Sequence, residues 1–171
     1  MDLTALIVAV PEAEPAVGRF RATLDRAAGW GVPAHVTVLF PFLPPGRITE
    51  SEVAVVREAV ATVPRFEVTF TRTAWFGTDL LWLAPEPDDG FRALTAAVWR
   101  RFPDTPPYAG KHGDAVPHLT VGHDRPLTLL RAAADEIATH LPIPAAVDTV
   151  LLIAGSTDVK GWRTLAEFPL G

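Results

Sequence analysis

The segment HVTVLFPF, residues 35–42, and its counterpart HLTVGH, residues 118–123, orient the reading of the whole chain. In each, a histidine and a threonine stand two places apart with apolar residues between and after them, the alternation of a strand with one polar and one apolar face. His35 and Thr37 therefore share one face, about 7 Å apart along the strand, while Val36, Val38 and Phe40 turn to the other. His118 and Thr120 repeat the pattern against Leu119 and Val121. With 17 Thr and 2 Ser among 171 residues, roughly one histidine in nine has a hydroxyl two places on by chance. Requiring apolar neighbours in both copies makes a double accident rare.

Outward from these strands the chain falls into two similar runs. Residues 3–10 are apolar and stop at Pro11, as a buried strand does. Val17, Phe20, Leu24 and Ala27 then recur at helical spacing until Gly29 and Gly31. Thr49-Glu50-Ser51-Glu52 has the form of a capping box, opening a helix marked by Val53, Val56, Val60 and Val63 and closed by Pro64. A strand over 66–75 completes the first run. The second begins with an apolar strand over 80–84 and a helix marked by Phe91, Leu94, Val98 and Phe102. A loop rich in Pro and Gly, Pro103 to Pro117, leads to the His118 strand; Leu130, Ala133, Ile137 and Leu141 outline a fourth helix, and strands over 146–154 and 162–169 follow. Six or seven strands with four helices predict an α+β fold of two sheets carrying helices on their outer faces. The expected organisation is one domain over 1–171, built of pseudo-repeated lobes near 1–76 and 77–171 that can exchange strands. No G-x-G-x-x-G follows a strand and no Walker-type glycine loop is present, which argues against dinucleotide and nucleoside triphosphate chemistry.

Composition narrows the classes further. The net charge of -5 repels polyanions, so extended nucleic acid is not an expected partner. The absence of cysteine excludes a disulfide framework, a thiolate nucleophile and zinc sites that need sulfur. The opening MDLTALIVAVPEAEP has no basic residue before Arg19 and reads as a strand rather than a secretory leader, and no apolar run approaches the roughly 20 residues of a membrane span. A cytoplasmic monomer with no membrane partner is the expectation.

Two imidazoles and two hydroxyls lining one cleft suit a phosphodiester. In-line displacement sets the attacking and leaving oxygens on opposite sides of phosphorus, so a base and an acid must approach from opposite directions. Imidazole, with an ordinary pKa of about 6.5, serves in either role near pH 7. Hydroxyls can donate to the non-bridging oxygens, and an H-x-T strand lacks the second imidazole of an H-x-H metal site, so no metal is expected.

At His35-Val36-Thr37-Val38 and His118-Leu119-Thr120-Val121 the chain resembles the 2H phosphoesterase superfamily, named for two H-x-[ST]-x motifs and including 2′-5′ RNA ligase-like proteins and cyclic nucleotide phosphodiesterases. The run from His35 to Phe42 and the 83-residue separation of the motifs are similar to the bacterial 2′-5′ RNA ligase-like branch. The resemblance implies a bilobal, LigT-like fold with a central cleft that needs no cofactor, His35 and His118 as the catalytic pair, and Thr37 and Thr120 as phosphate ligands. It also implies hydrolysis of a 2′,3′-cyclic phosphate or a 2′,5′ linkage in a small nucleotide or an RNA end, with ligation as the reverse step. Which histidine is acid and which is base stays open. The alternative class is a non-catalytic module that captures a phospholigand.

The remaining candidates have no motif behind them. Tyr108 and Lys111, in the loop before the second motif, could stack on a base and supply positive charge. Arg72, Arg125 and Arg163 are further cations. His112 reads as a solvated loop residue, His123 as a surface or capping group and His140 as compensation at a helix C-terminus. Trp75 and Trp82 read as core or hairpin residues.

Overall fold

A computed structural model describes residues 2–158 and 161–171. Among these residues eight strands, β1 (Leu3–Ala9), β2 (His35–Leu39), β3 (Phe66–Phe76), β4 (Leu80–Glu86), β5 (Leu119–His123), β6 (Ile143–Val147), β7 (Thr149–Gly155) and β8 (Arg163–Pro169), form one antiparallel sheet in the order β6-β3-β4-β5-β2-β1-β7-β8. The sheet has two four-stranded halves, and they are joined edge to edge through a single β2–β5 bridge, Val36 with Leu119. The halves of the sheet are not the halves of the chain. β3 pairs with β4 and β6, while β7 and β8 extend the half that begins with β1 and β2.

The strand expected over 146–154 is two strands. Val147 is the last residue paired with β3, and from Thr149 the chain pairs in the other half of the sheet, so Asp148 marks a crossing between halves within one apolar run. Continuous hydrophobicity could not reveal that change of partner.

Among the described residues five α-helices accompany the sheet: α1 (Glu14–Leu24), α2 (Arg26–Gly29), α3 (Glu50–Ala61), α4 (Asp89–Arg101) and α5 (Leu127–Ala138). α3 opens with the capping box, the Thr49 hydroxyl taking a backbone N–H while Glu52 reaches back to the Thr49 N–H. The stripe through Val17 and Leu24 does not run on to Ala27 as one helix, because Asp25 adopts an extended conformation and caps α2 by accepting from the Ala27 N–H.

The long helices share one core with one face of the sheet. Leu6, Val8, Val36, Val38, Leu81, Leu83, Leu119 and Val121 meet Val17, Val56, Leu94, Leu130 and their neighbours there, all essentially buried. Gly122 permits close approach of two helices to β5, since a Cβ there would lie 2.6 Å from Leu130 and 2.9 Å from Leu24. On the opposite face Ala5, Ile7, Val32 and Ile153 form a smaller apolar cluster with Trp30 and Trp162. The polar positions of β2 and β5 are on that second face, only partly buried.

Candidate active site

The Val36–Leu119 bridge decides the geometry. In an antiparallel ladder the register runs in opposite senses on the two strands, so one step either side of this bridge sets His35 across from Thr120 and Thr37 across from His118. Directly opposed Cβ atoms are about 5 Å apart and residues two apart on a strand about 7 Å, so the four side chains mark the corners of a small rectangle with the imidazoles on one diagonal. Its dimensions suit one tetrahedral anion.

Both imidazoles are held alike. The Nδ1 of His35 lies 2.8 Å from the Pro33 carbonyl, and the Nδ1 of His118 lies 2.8 Å from the Val116 carbonyl. A carbonyl only accepts, so each neutral ring carries its proton on Nδ1 and keeps the Nε2 lone pair free. Burial disfavours the charged form of both. His35 is pushed down to about 4, chiefly by desolvation, with the nearby Arg21 guanidinium adding to the effect and Asp25 opposing it. His118 is also lowered, first by desolvation and further by the neighbouring His112, while its bond to Val116 works the other way.

The surroundings of His118 are aromatic. Phe76 and Trp82 meet its ring edge-on at centroid distances of 5.1 and 5.9 Å, and Tyr108 leans over it at 6.4 Å and 30°. Trp82 pairs with Thr120 and is 6% exposed, and its indole N–H has no partner among the described residues. It is a wall of this site as well as a buried residue. Period-2 reading could have found it, since Leu81 and Leu83 take the core face and leave Trp82 to the other. Phe76, at the hairpin end of β3, had no such signal.

Tyr108 belongs to a turn in which Tyr108 and Ala109 both have left-handed backbone, φ 53° and 55°. Such residues cost on the order of 1 to 3 kcal/mol each and persist where surrounding contacts over-determine them. Here the Tyr108 N–H donates to the Phe40 carbonyl at 2.6 Å. Its ring packs against His112 at 5.5 Å, and a small cavity bounded by Thr37, Phe40, Val116 and Pro117 opens beneath it. Burial raises the phenol pKa, opposed by the Thr37 hydroxyl beside it.

The other candidates are spread out. Lys111 is exposed at the end of the Tyr108 turn. Arg72 is exposed on β3, 3.5 Å from Glu86, and shares a groove with Trp82 and Pro117. Arg125 donates to the Thr23 and Asp124 carbonyls past the far end of β5, and Arg163 is on the edge strand β8, three strands from β2. His123 and His140 are exposed beside Asp124 and Glu136 respectively. No helix among the described residues is long and apolar enough to cross a membrane.

Sequence reading also missed a buried ion pair behind His35. Arg21, 2% exposed, donates through Nε and Nη2 to one Asp25 carboxylate oxygen at 3.1 and 3.0 Å, and through Nη2 to the Val32 carbonyl at 3.2 Å. Its signal was present: Val17, Arg21 and Asp25 are four apart, so a cation and an anion lie along the apolar stripe of a helix.

The family model described as the 2′-5′ RNA ligase superfamily matches residues 9–158. Escherichia coli LigT complexed with 3′-AMP has a similar fold, with a TM-score of 0.64 at 17% identity over 99% of this chain and 98% of LigT. LigT complexed with phosphate matches with a TM-score of 0.56 at 18% identity over 99% and 97%, and a protein described as a phosphoesterase with 0.59 at 18% over 99% of both chains. No curated protein matches this chain in sequence.

Proposed function

The chain belongs to the 2′-5′ RNA ligase superfamily, whose members act on phosphodiesters, and on that premise we propose that it hydrolyses 2′,3′-cyclic phosphates of nucleotides or RNA ends, or 2′,5′-phosphodiester bonds. The observation that carries the reading is the matched pair of Nδ1–carbonyl bonds, which leave two Nε2 atoms free on either side of one anion-sized space. A compact substrate is favoured by the net charge of -5 and by the likeness to LigT, which has been seen with 3′-AMP and with phosphate.

Thr37 and Thr120 donate hydrogen bonds to the non-bridging oxygens. In hydrolysis water attacks phosphorus from the His35 side, its proton passes to His35 Nε2, the bond from phosphorus to the ribose oxygen breaks, and protonated His118 gives its Nε2 proton to that oxygen. His35 is assigned as the base because burial and the Arg21 guanidinium keep it neutral. A bound phosphate anion opposes the desolvation of both imidazoles and so raises their pKa values, which lets His118 take up the proton it must deliver. Ligation is the same step with a ribose hydroxyl in place of water, attacking the cyclic phosphate as His35 takes its proton and His118 protonates the ribose oxygen that leaves; cleavage of the linkage back to the cyclic phosphate is the reverse, with the two roles exchanged. Hydroxyl donors and an imidazolium meet the developing charge, so no metal is invoked. Tyr108 is the stacking face for the base and Lys111 a peripheral cation.

The test is a panel of the four 2′,3′-cyclic mononucleotides and 2′,5′-linked dinucleotides, assayed with chelator present and with the product isomer identified. Turnover with a bell-shaped pH profile is expected. Tight binding of every substrate without turnover would reduce the protein to a phospholigand-binding module, and loss of activity in chelator would install a metal.

A further inference from the structure

We infer that Glu14, Arg21 and Asp25 are positioning residues for His35, a charged network anchored on the buried Arg21–Asp25 pair that aims the Pro33 carbonyl at Nδ1 and so selects the tautomer that leaves Nε2 free. The inference rests on His35 acting through Nε2 in the proposed reaction.

Backbone groups withdrawn from water need partners. From Val32 to Ala34 every one has a partner. The Val32 N–H donates to Ala27 at 2.9 Å, and the Val32 carbonyl accepts from Arg21 at 3.2 Å. The Ala34 N–H donates to Glu14 Oε1 at 2.7 Å, and the Ala34 carbonyl accepts from Val10 at 2.8 Å. Pro33 has no N–H, and its carbonyl takes the His35 Nδ1 proton.

The Glu14 contact matters most. The Pro33 carbonyl and the Ala34 N–H belong to one planar trans peptide unit and point in opposite directions. Holding the N–H on Glu14 therefore aims the carbonyl the other way, toward the imidazole. Arg21 steadies the arrangement from two sides, through the Val32 carbonyl and through Glu14, whose carboxylate lies 3.9 Å from Nη1. Asp25 in turn fixes the guanidinium and caps α2. α1 also packs on β5, so the helix that orients the His35 segment touches the strand that follows His118.

The second motif has no counterpart of this device. The carbonyl that binds His118 belongs to the Val116–Pro117 peptide, whose nitrogen carries no proton, so no carboxylate can aim that unit.

The experiment compares wild type with Glu14→Ala, Glu14→Gln and Arg21→Lys. The tautomer of His35 is read near pH 7 from long-range ¹H–¹⁵N correlations, assigned with His35→Gln, and kcat and KM are measured on a 2′,3′-cyclic mononucleotide. Glu14→Ala is expected to shift His35 toward the Nε2–H tautomer and to lower kcat on the order of tenfold to a hundredfold with KM little changed. Glu14→Gln, which keeps an acceptor, is expected to restore both. Arg21→Lys keeps the charge but loses the fork and is expected to fall between; it serves if Glu14→Ala does not fold. A folded Glu14→Ala or Arg21→Lys protein that retains the Nδ1–H signal of wild type in full overturns the inference. Because the tautomer is read without substrate, a wild type that shows it but turns nothing over would instead overturn the proposed function.

Discussion

The two histidine segments have the same local bond and opposite surroundings. His35 follows a backbone whose polar groups are tied to Arg21 and Glu14 and whose Val32 packs in the apolar cluster with Ile7 and Ile153. His118 follows a long loop and stands among Phe76, Trp82 and Tyr108, with His112 close by. One segment is oriented by charges behind it, the other by aromatic walls in front of it. In the proposed reaction a base needs a fixed lone pair, the part given to the first, and a nucleotide substrate needs flat apolar surface beside its phosphate, the part given to the second.

The sharpest way to break this comparison is to remove each imidazole. His35→Ala and His118→Ala are each expected to lower kcat on 2′,3′-cyclic mononucleotides by about 10² to 10⁴, while leaving the melting temperature near wild type. If only one substitution costs activity, the chemistry is one-sided and the diagonal pair is not a base and an acid. Next come the hydroxyls: Thr37→Val and Thr120→Val, equal in shape and lacking the donor, should each cost on the order of 10² in kcat. An effect confined to Thr120 would mean that Thr37 belongs to the Tyr108 contact rather than to phosphate.

Stability against pH gives the smallest effect. The folded pKa of His35 lies near 4, below the ordinary 6.5, so between those values the unfolded chain binds a proton that the folded one does not. Stability contributed by neutral His35 is thus present above about pH 6.5 and lost as pH falls toward 4. Allowing for the partial exposure of the ring, the loss is about 2 kcal/mol. Denaturant melts at pH 7 and pH 4.5 should show it for wild type, with a smaller difference for His35→Gln; equal slopes for the two proteins would remove burial as the cause.

Much of this was legible in the chain. The H-x-T pairs, the polar and apolar faces of their strands and the capping box at Thr49 each depend on residues a few places apart, and each takes the form that the local pattern predicts. Trp82 and Arg21 were half-legible: their spacing set them apart from the core pattern, but only contacts could say that one walls a site and the other anchors a loop. Phe76 and the crossing at Asp148 left no local trace, because a residue's place at a hairpin end and a strand's choice of partner are long-range facts.

The sequence alone determined that two strands, 83 residues apart, would each present an imidazole and a hydroxyl on one face, because side-chain alternation is a property of the strand itself. The tertiary structure decided that the strands meet at Val36 and Leu119, that desolvation pushes the His35 imidazole down to about 4, and that the Val32 carbonyl and Ala34 N–H just before it are held by Arg21 and Glu14. Pairing, desolvation and hydrogen-bond satisfaction belong to everything packed around a residue, and no run of neighbours in the chain can state them.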